Sequence, residues 1–185
     1  MTEEEIRSIK KEISGCTRCV LSENRTNTVP GEGNSDAEIV IIGEAPGKNE
    51  DESGRPFVGK AGDVLTETLD KAGLKREDIF ITNVVKCRPP ENRDPRKKEV
   101  KKCRSYLERQ LKEIDPSIIV PLGNSALKTV LDETKISEKR GEIFEKNGRK
   151  YMPTYHPAAT IYNRKLRPQL VKDLEKIVEI SEGGS

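Results

Sequence analysis

Ile39-Val40-Ile41-Ile42-Gly43-Glu44-Ala45-Pro46-Gly47 is the stretch that decides how this chain folds. Four consecutive β-branched apolar residues closed by a glycine read as a strand, spanning 37–43, with both faces buried. Residues 79–85, 117–122 and 151–155 have the same character, and Pro153 marks the last of them as an edge or bent strand. Between these runs the apolar residues change to helical spacing. Val64, Leu65, Leu69 and Ala72 share one face, and Val100, Cys103, Leu107, Leu111 and Ile114 recur at intervals of three and four. Ala126, Leu127 and Val130 support a further helix after Gly123, and Leu166, Leu170, Leu174, Ile177 and Val178 a closing one. Residues 1–11 carry a charged helical pattern. Such alternation predicts a mainly parallel four-stranded sheet with helices on both faces and right-handed crossovers.

In sheets of this kind ligands bind beyond the carboxyl ends of the strands. Here those ends are Gly43-Glu44-Ala45, Thr82-Asn83, Gly123-Asn124-Ser125 and Tyr155-His156. Polar and glycine-rich punctuation therefore gathers along one edge, where an active site is expected.

The 185 residues suit one domain, 1–185, with a frayed tail expected over 181–185. Only 32% of the residues are hydrophobic and 36% are charged, so the apolar side chains must concentrate in a few strands and helix faces. An ion-dense surface follows, of the kind common in proteins from hot environments. No apolar run is long enough to cross a bilayer, and the N-terminus lacks the pattern of a signal peptide, so a cytoplasmic protein is expected. The net charge is only +2, but residues 86–104 hold nine Lys or Arg against three acids. Alone, that run reads as a solvated basic helix face.

The glycine turn after the first strand invites a test for a phosphate loop. Gly43 and Gly47 are separated by three residues instead of four, and Asn49 stands where Ser or Thr should bind magnesium. Gly54 to Lys60 matches the spacing, but Ala61 replaces the hydroxyl residue and no strand precedes it. Both counts argue against an ATPase. The cysteines, Cys16, Cys19, Cys87 and Cys103, form a C-x2-C pair, then 67 intervening residues, then C-x15-C. That spacing alone leaves an iron–sulfur cluster, a zinc site and inert thiols all open. Cys103 falls on an apolar helix face and Cys87 directly follows a buried strand, so both can turn inward toward Cys16 and Cys19.

Gly43-Glu44-Ala45-Pro46-Gly47, Gly54-Arg55-Pro56-Phe57-Val58-Gly59, Thr82-Asn83-Val84-Val85-Lys86-Cys87-Arg88-Pro89-Pro90 and His156-Pro157-Ala158 together resemble the family-4 uracil-DNA glycosylases. The resemblance runs from about Cys16 to Leu174, in the family's order. It implies a three-layer α/β/α sandwich, a structural [4Fe-4S] cluster on Cys16, Cys19, Cys87 and Cys103, and excision of uracil from DNA whose cytosines have deaminated. The partner would be uracil-containing DNA, single- or double-stranded, met by a monomer that hands its product to other repair proteins.

The resemblance also distributes roles. Phe57 is the platform on which a flipped base stacks, and Asn83 reads the N3–H and O4 edge with a side-chain amide that offers donor and acceptor. His156 faces the oxygen that gains charge as the glycosidic bond breaks, and Glu44, beside Gly43 and Ala45, positions the water, stabilises the sugar cation or excludes the thymine methyl group. Asp51 and Glu52 are expected to be solvated. Arg88, Arg93, Lys97, Asn124, Ser125 and Arg164 are the expected DNA contacts, joined by Arg96, Lys98, Lys165 and Arg167. A loop over 158–166, with Ile161, Tyr162 or Leu166 as wedge, is expected to enter the duplex. The alternative is a non-catalytic iron–sulfur DNA-binding module, which needs neither Asn83 nor His156. The related group that traps uracil through a histidine in an added basic loop is excluded, because the single histidine already sits in the Pro-Ala-Ala motif.

Overall fold

The computed structural model describes residues 1–183. In chain order, helix α1 (Thr2–Ser14) and the short α2 (Leu21–Asn24) precede strands β1 (Glu32–Gly33) and β2 (Ile39–Gly43). Helices α3 (Lys48–Ser53) and α4 (Lys60–Lys71) lead to β3 (Phe80–Asn83), α5 (Lys97–Ile114), β4 (Ile118–Pro121), α6 (Gly123–Leu131) and α7 (Ile136–Lys139). The hairpin β5 (Phe144–Lys146) and β6 (Arg149–Tyr151) then runs into α8 (Pro157–Tyr162), a 3-10 turn and α9 (Arg167–Gly183).

The sheet order is β1-β3-β2-β4-β6-β5. The four inner strands are parallel, as the sequence predicts, while β1 and β5 add antiparallel edges that it does not. Both edge strands are too short and polar to carry an apolar run. The fourth expected strand is also shorter than 151–155: regular pairing covers Arg149–Tyr151 and is extended by Met152 and Thr154, whose amides donate to Ile119 and Pro121. Pro153 lies between them without an N–H, but alternate residues face opposite neighbours, so the missing donor is on the side away from β4, where the Pro153 carbonyl accepts the Gly141 amide.

Alternate residues of β2 feed two cores. Ile39 and Ile41 pack with Leu65 and Leu69 of α4 and with Leu170, Leu174 and Ile177 of α9. Val40 and Ile42 pack on the other face with Leu107, Leu111 and Ile114 of α5. The three-layer expectation holds, and α1 adds an outer tier by packing Ile9 and Ile13 on Tyr106 of α5. Helix α9 continues through Ser181 to Gly183, within the segment expected to fray, and residues 184–185 of that segment lie outside the described ones. Among the described residues no helix is long and apolar enough to cross a membrane.

One buried cluster ties α9 to the strand that leads into His156. The Thr154 hydroxyl donates to Asp173 Oδ2 at 2.6 Å, and Arg140 donates to both carboxylate oxygens, Nε to Oδ2 at 2.9 Å and Nη2 to Oδ1 at 2.6 Å. Removing the shared acceptor leaves the Arg140 charge half-buried and unpaired. Asp173→Ala is therefore expected to cost about 3 kcal/mol, read by calorimetry as a melting midpoint lower by about 10 °C.

Candidate active site

Strands β2 and β3 run in register, with Gly43 opposite Asn83. The pairing continues past the strand ends, since the Val84 and Val85 amides donate to the Gly43 and Glu44 carbonyls. This fixes the backbone of Glu44 at the carboxyl edge of the sheet. On the neighbouring side a bridge between Leu122 and Thr154 places His156 at the same edge. The result is a cavity of about 640 Å3, lined among others by Glu44, Ala45, Phe57, Asn83, His156 and Tyr162. Its size is that of a small-molecule site.

Asn83 is only 2% exposed, and its side chain lines the cavity with Oδ1 packed over Gly43. Burial and packing against Gly43 hold its orientation. Gly43 must be glycine here, because a Cβ would run into Asn83 Oδ1 and come within 2.7 Å of the Phe57 ring. Phe57 belongs to the core around α4 and also lines the cavity, and its ring centroid lies 5.6 Å from that of His156.

His156 caps α8, accepting the Ala158 amide at Nδ1 over 3.1 Å. A nitrogen that accepts is unprotonated, so the ring proton sits on Nε2. Burial agrees, pushing the imidazole pKa down to about 4. The ring is a neutral donor at physiological pH. Glu44, half-buried, is shifted the other way: burial raises its pKa, a hydrogen bond from Ser125 opposes the rise, and the neighbouring Asp94 carboxylate adds to it.

The cysteines gather elsewhere. Cys16, Cys19, Cys87 and Cys103 line one cavity between the end of α1, the end of β3 and α5, walled by Ile13, Leu21 and Tyr106. None is in a disulfide. Arg25 donates to the Cys16 carbonyl at 2.6 Å and to Cys87 Sγ at 3.4 Å. Burial pushes the Cys87 thiol up to about 11 and raises that of Cys103. Among the described residues no group of three His, Cys, Asp or Glu side chains is placed to hold a metal ion.

Several side chains differ from their sequence reading. Asp51 is buried at 4% exposure, accepting the Thr26 and Asn27 amides, whereas Glu52 is exposed as expected. Lys86, counted in the surface basic run, is 1% exposed. Its ammonium donates to Thr82 Oγ1 at 2.5 Å, the Asn83 carbonyl at 2.8 Å and Gln110 Oε1 at 2.7 Å, and burial lowers its pKa to about 7. Lys86 also lines the cysteine cavity, so it bridges the two sites. Arg93 is engaged with buried Glu99, Asn124 Oδ1 with the Ile136 amide, and Arg88 with Asn92. Lys97, Lys98, Arg164 and Lys165 are exposed. The segment expected as a loop over 158–166 is largely helical, through α8 and the following turn. At its tip Tyr162 is 91% exposed and rims the cavity. Sequence reasoning did not find Lys86, Glu50, Arg76 or Asp94, because each looks like one more charge in a charge-rich chain.

Residues 30–179 match the model of the Uracil DNA glycosylase superfamily. The chain is 48% identical over 186 residues to the Type-4 uracil-DNA glycosylase of Archaeoglobus fulgidus, covering 96% of this chain and 94% of that protein. Proteins of the same name from Sulfurisphaera tokodaii and Saccharolobus solfataricus are 47% and 48% identical, covering 95% and 92% of this chain and 84% of each relative.

The single histidine makes the charge state of the pocket directly measurable. Its ring signals in NMR titration should move near pH 4 instead of 6.5, with the Nε2–H tautomer persisting at neutral pH. Between those values the unfolded chain binds a proton that the folded one does not, so stability should rise with pH through that window and stop gaining above it.

Proposed function

The chain belongs to the Uracil DNA glycosylase superfamily, in its type-4 branch, and from that premise we propose how its residues free uracil from DNA. It is a uracil-DNA glycosylase, a monofunctional enzyme that hydrolyses the bond between uracil and deoxyribose and so begins base excision repair of deaminated cytosine. The observation that carries the residue assignment is the convergence of Glu44, Phe57, Asn83 and His156, distant in sequence, on one cavity at the sheet edge.

Uracil reaches that cavity by flipping out of the stack, which costs least at a mispaired base. Tyr162, the most exposed apolar side chain at the rim, fills the vacated position as a wedge. Phe57 stacks on the flipped base, and the Asn83 amide accepts from N3–H and donates to O4. As the N1–C1′ bond lengthens, electron density collects at O2, and the His156 Nε2–H donates to it. A donor fixed before the reaction begins contributes about 3–4 kcal/mol. A neutral donor suits this task, since it binds the developing anion without surrendering its proton. Glu44 lies on the sugar side, where its carboxylate stabilises the oxocarbenium-like sugar and orients the water that attacks C1′. Lys97, Lys98 and Arg164 supply phosphate contacts that weaken with salt.

The thiol cavity suits a [4Fe-4S] group held by Cys16, Cys19, Cys87 and Cys103. A zinc ion draws its four sulfurs to about 2.3 Å from one point, whereas a cluster several ångströms wide accepts thiolates set further apart. Four thiols and no histidine lining one cavity, with the Arg25 cation beside Cys87, support the cluster. When bound, it supplies a covalent cross-link among the N-terminal segment, the end of β3 and α5.

Purified protein incubated with single-stranded and U:G oligonucleotides should release free uracil with no metal or nucleotide added. Asn83→Ala and His156→Ala should each lose at least 100-fold in turnover while holding uracil-free DNA as the parent does; a non-catalytic module would lose nothing. The same preparation should be brown, with iron and acid-labile sulfide in equal amounts, and Cys103→Ala should be pale. Colourless protein carrying zinc would refute the cluster.

A further inference from the structure

Phe57 stands at φ +50°, a left-handed conformation that non-glycine residues rarely hold without outside support. The support comes from two charged side chains on opposite sides of its loop. Glu50, in the first turn of α3, accepts the Gly47 amide at Oε1 over 3.0 Å, and the Val58 and Gly59 amides at Oε2 over 3.2 and 3.1 Å. One carboxylate thus ties the turn that carries Glu44 to the loop that carries Phe57. From the other side Arg76 donates Nη1 to the Phe57 carbonyl and Nη2 to the Pro56 carbonyl, both at 2.7 Å, and is itself braced by Glu32 at 3.2 Å.

The peptide between Phe57 and Val58 is therefore held at both ends, its carbonyl by a guanidinium and its N–H by a carboxylate. Bonds to ions are the stronger kind, and with the Pro56 carbonyl also held they pin the peptides on both sides of Phe57 and hence the direction in which its Cα–Cβ bond launches the ring. Helix α4 closes the arrangement, because Gly62 has no side chain and the Phe57 carbonyl packs into the space a Cβ would need.

We propose that Glu50 and Arg76 are positioning residues for base recognition, holding the Phe57 ring in its stacking orientation before the nucleotide arrives. The proposal rests on the reading of Phe57 as the stacking platform. A clamp that served only to stabilise the loop would raise the melting midpoint and leave recognition of the base untouched. A clamp that sets the ring must act through it, and that coupling is measurable.

The test measures kcat/KM on a uracil-containing single-stranded oligonucleotide, inhibition by free uracil, affinity for uracil-free DNA and the melting midpoint. It uses Glu50→Gln, Arg76→Lys, Phe57→Ala and the two double variants with Phe57→Ala. Glu50→Gln and Arg76→Lys should each lower kcat/KM at least tenfold and weaken inhibition by free uracil by a similar factor, with uracil-free DNA bound as before. In the Phe57→Ala background the same substitutions should cost less than twofold. Losses that persist undiminished in that background, or normal uracil inhibition in the single variants, would overturn the proposal. If Glu50→Gln fails to fold, Arg76→Lys and its double variant decide the matter alone. A parent protein that releases no uracil would instead sink the functional reading, a result distinct from an active parent with fully active clamp variants.

Discussion

Strand β2 has no solvent face. Every residue from Ile39 to Gly43 is buried, with alternate side chains committed to opposite cores, so the strand can offer function only at its end. That constraint places the chemistry. The parallel register sets Gly43 beside Asn83, the next crossover brings Gly123 and His156 to the same edge, and the missing side chain at Gly43 leaves room for the Asn83 amide and the Phe57 ring. The pocket is in this sense the boundary condition of a strand packed on both sides.

Strands β2 and β4 were legible because Ile39–Ile42 and Ile118–Val120 are apolar, β-branched and closed by glycine or proline, and β3 was legible from its buried apolar residues, a signal that local composition carries without tertiary help. The same holds for α4, α5 and α9, whose apolar spacing matches the observed core contacts. Strands β1 and β5 were not legible, being two and three residues long and partly charged, and existing only through their partners. Asp51 and Lys86 misled for the same reason. A charge is read as solvated until the fold shows which polar groups surround it: the main-chain amides of remote Thr26 and Asn27 for Asp51, and the nearby Asn83 carbonyl with the side chain of remote Gln110 for Lys86.

Lys86 makes the two cavities mechanically continuous. All three of its ammonium hydrogens are taken, by Thr82, the Asn83 main chain and Gln110, while its stem lines the cysteine cavity. Gln110 in turn donates to the Pro30 carbonyl at 2.7 Å, which the Thr82 hydroxyl shares at 2.9 Å. A buried network with every member satisfied is rigid, and here it sets the height of the β3 end against α5. The strand end that presents Asn83 is thereby referenced to the helix that carries Cys103.

Both borders of the sheet end in very short antiparallel strands, Glu32–Gly33 on one side and Phe144–Lys146 on the other. A long parallel strand at either border would offer an unpaired ladder on which another chain could template itself. Here the outermost rungs are few and bear Glu32, Glu145 and Lys146, so edge-to-edge polymerisation finds little to propagate along. For a protein that must stay dispersed along a polymeric substrate, this gives colloidal safety without a change to the interior.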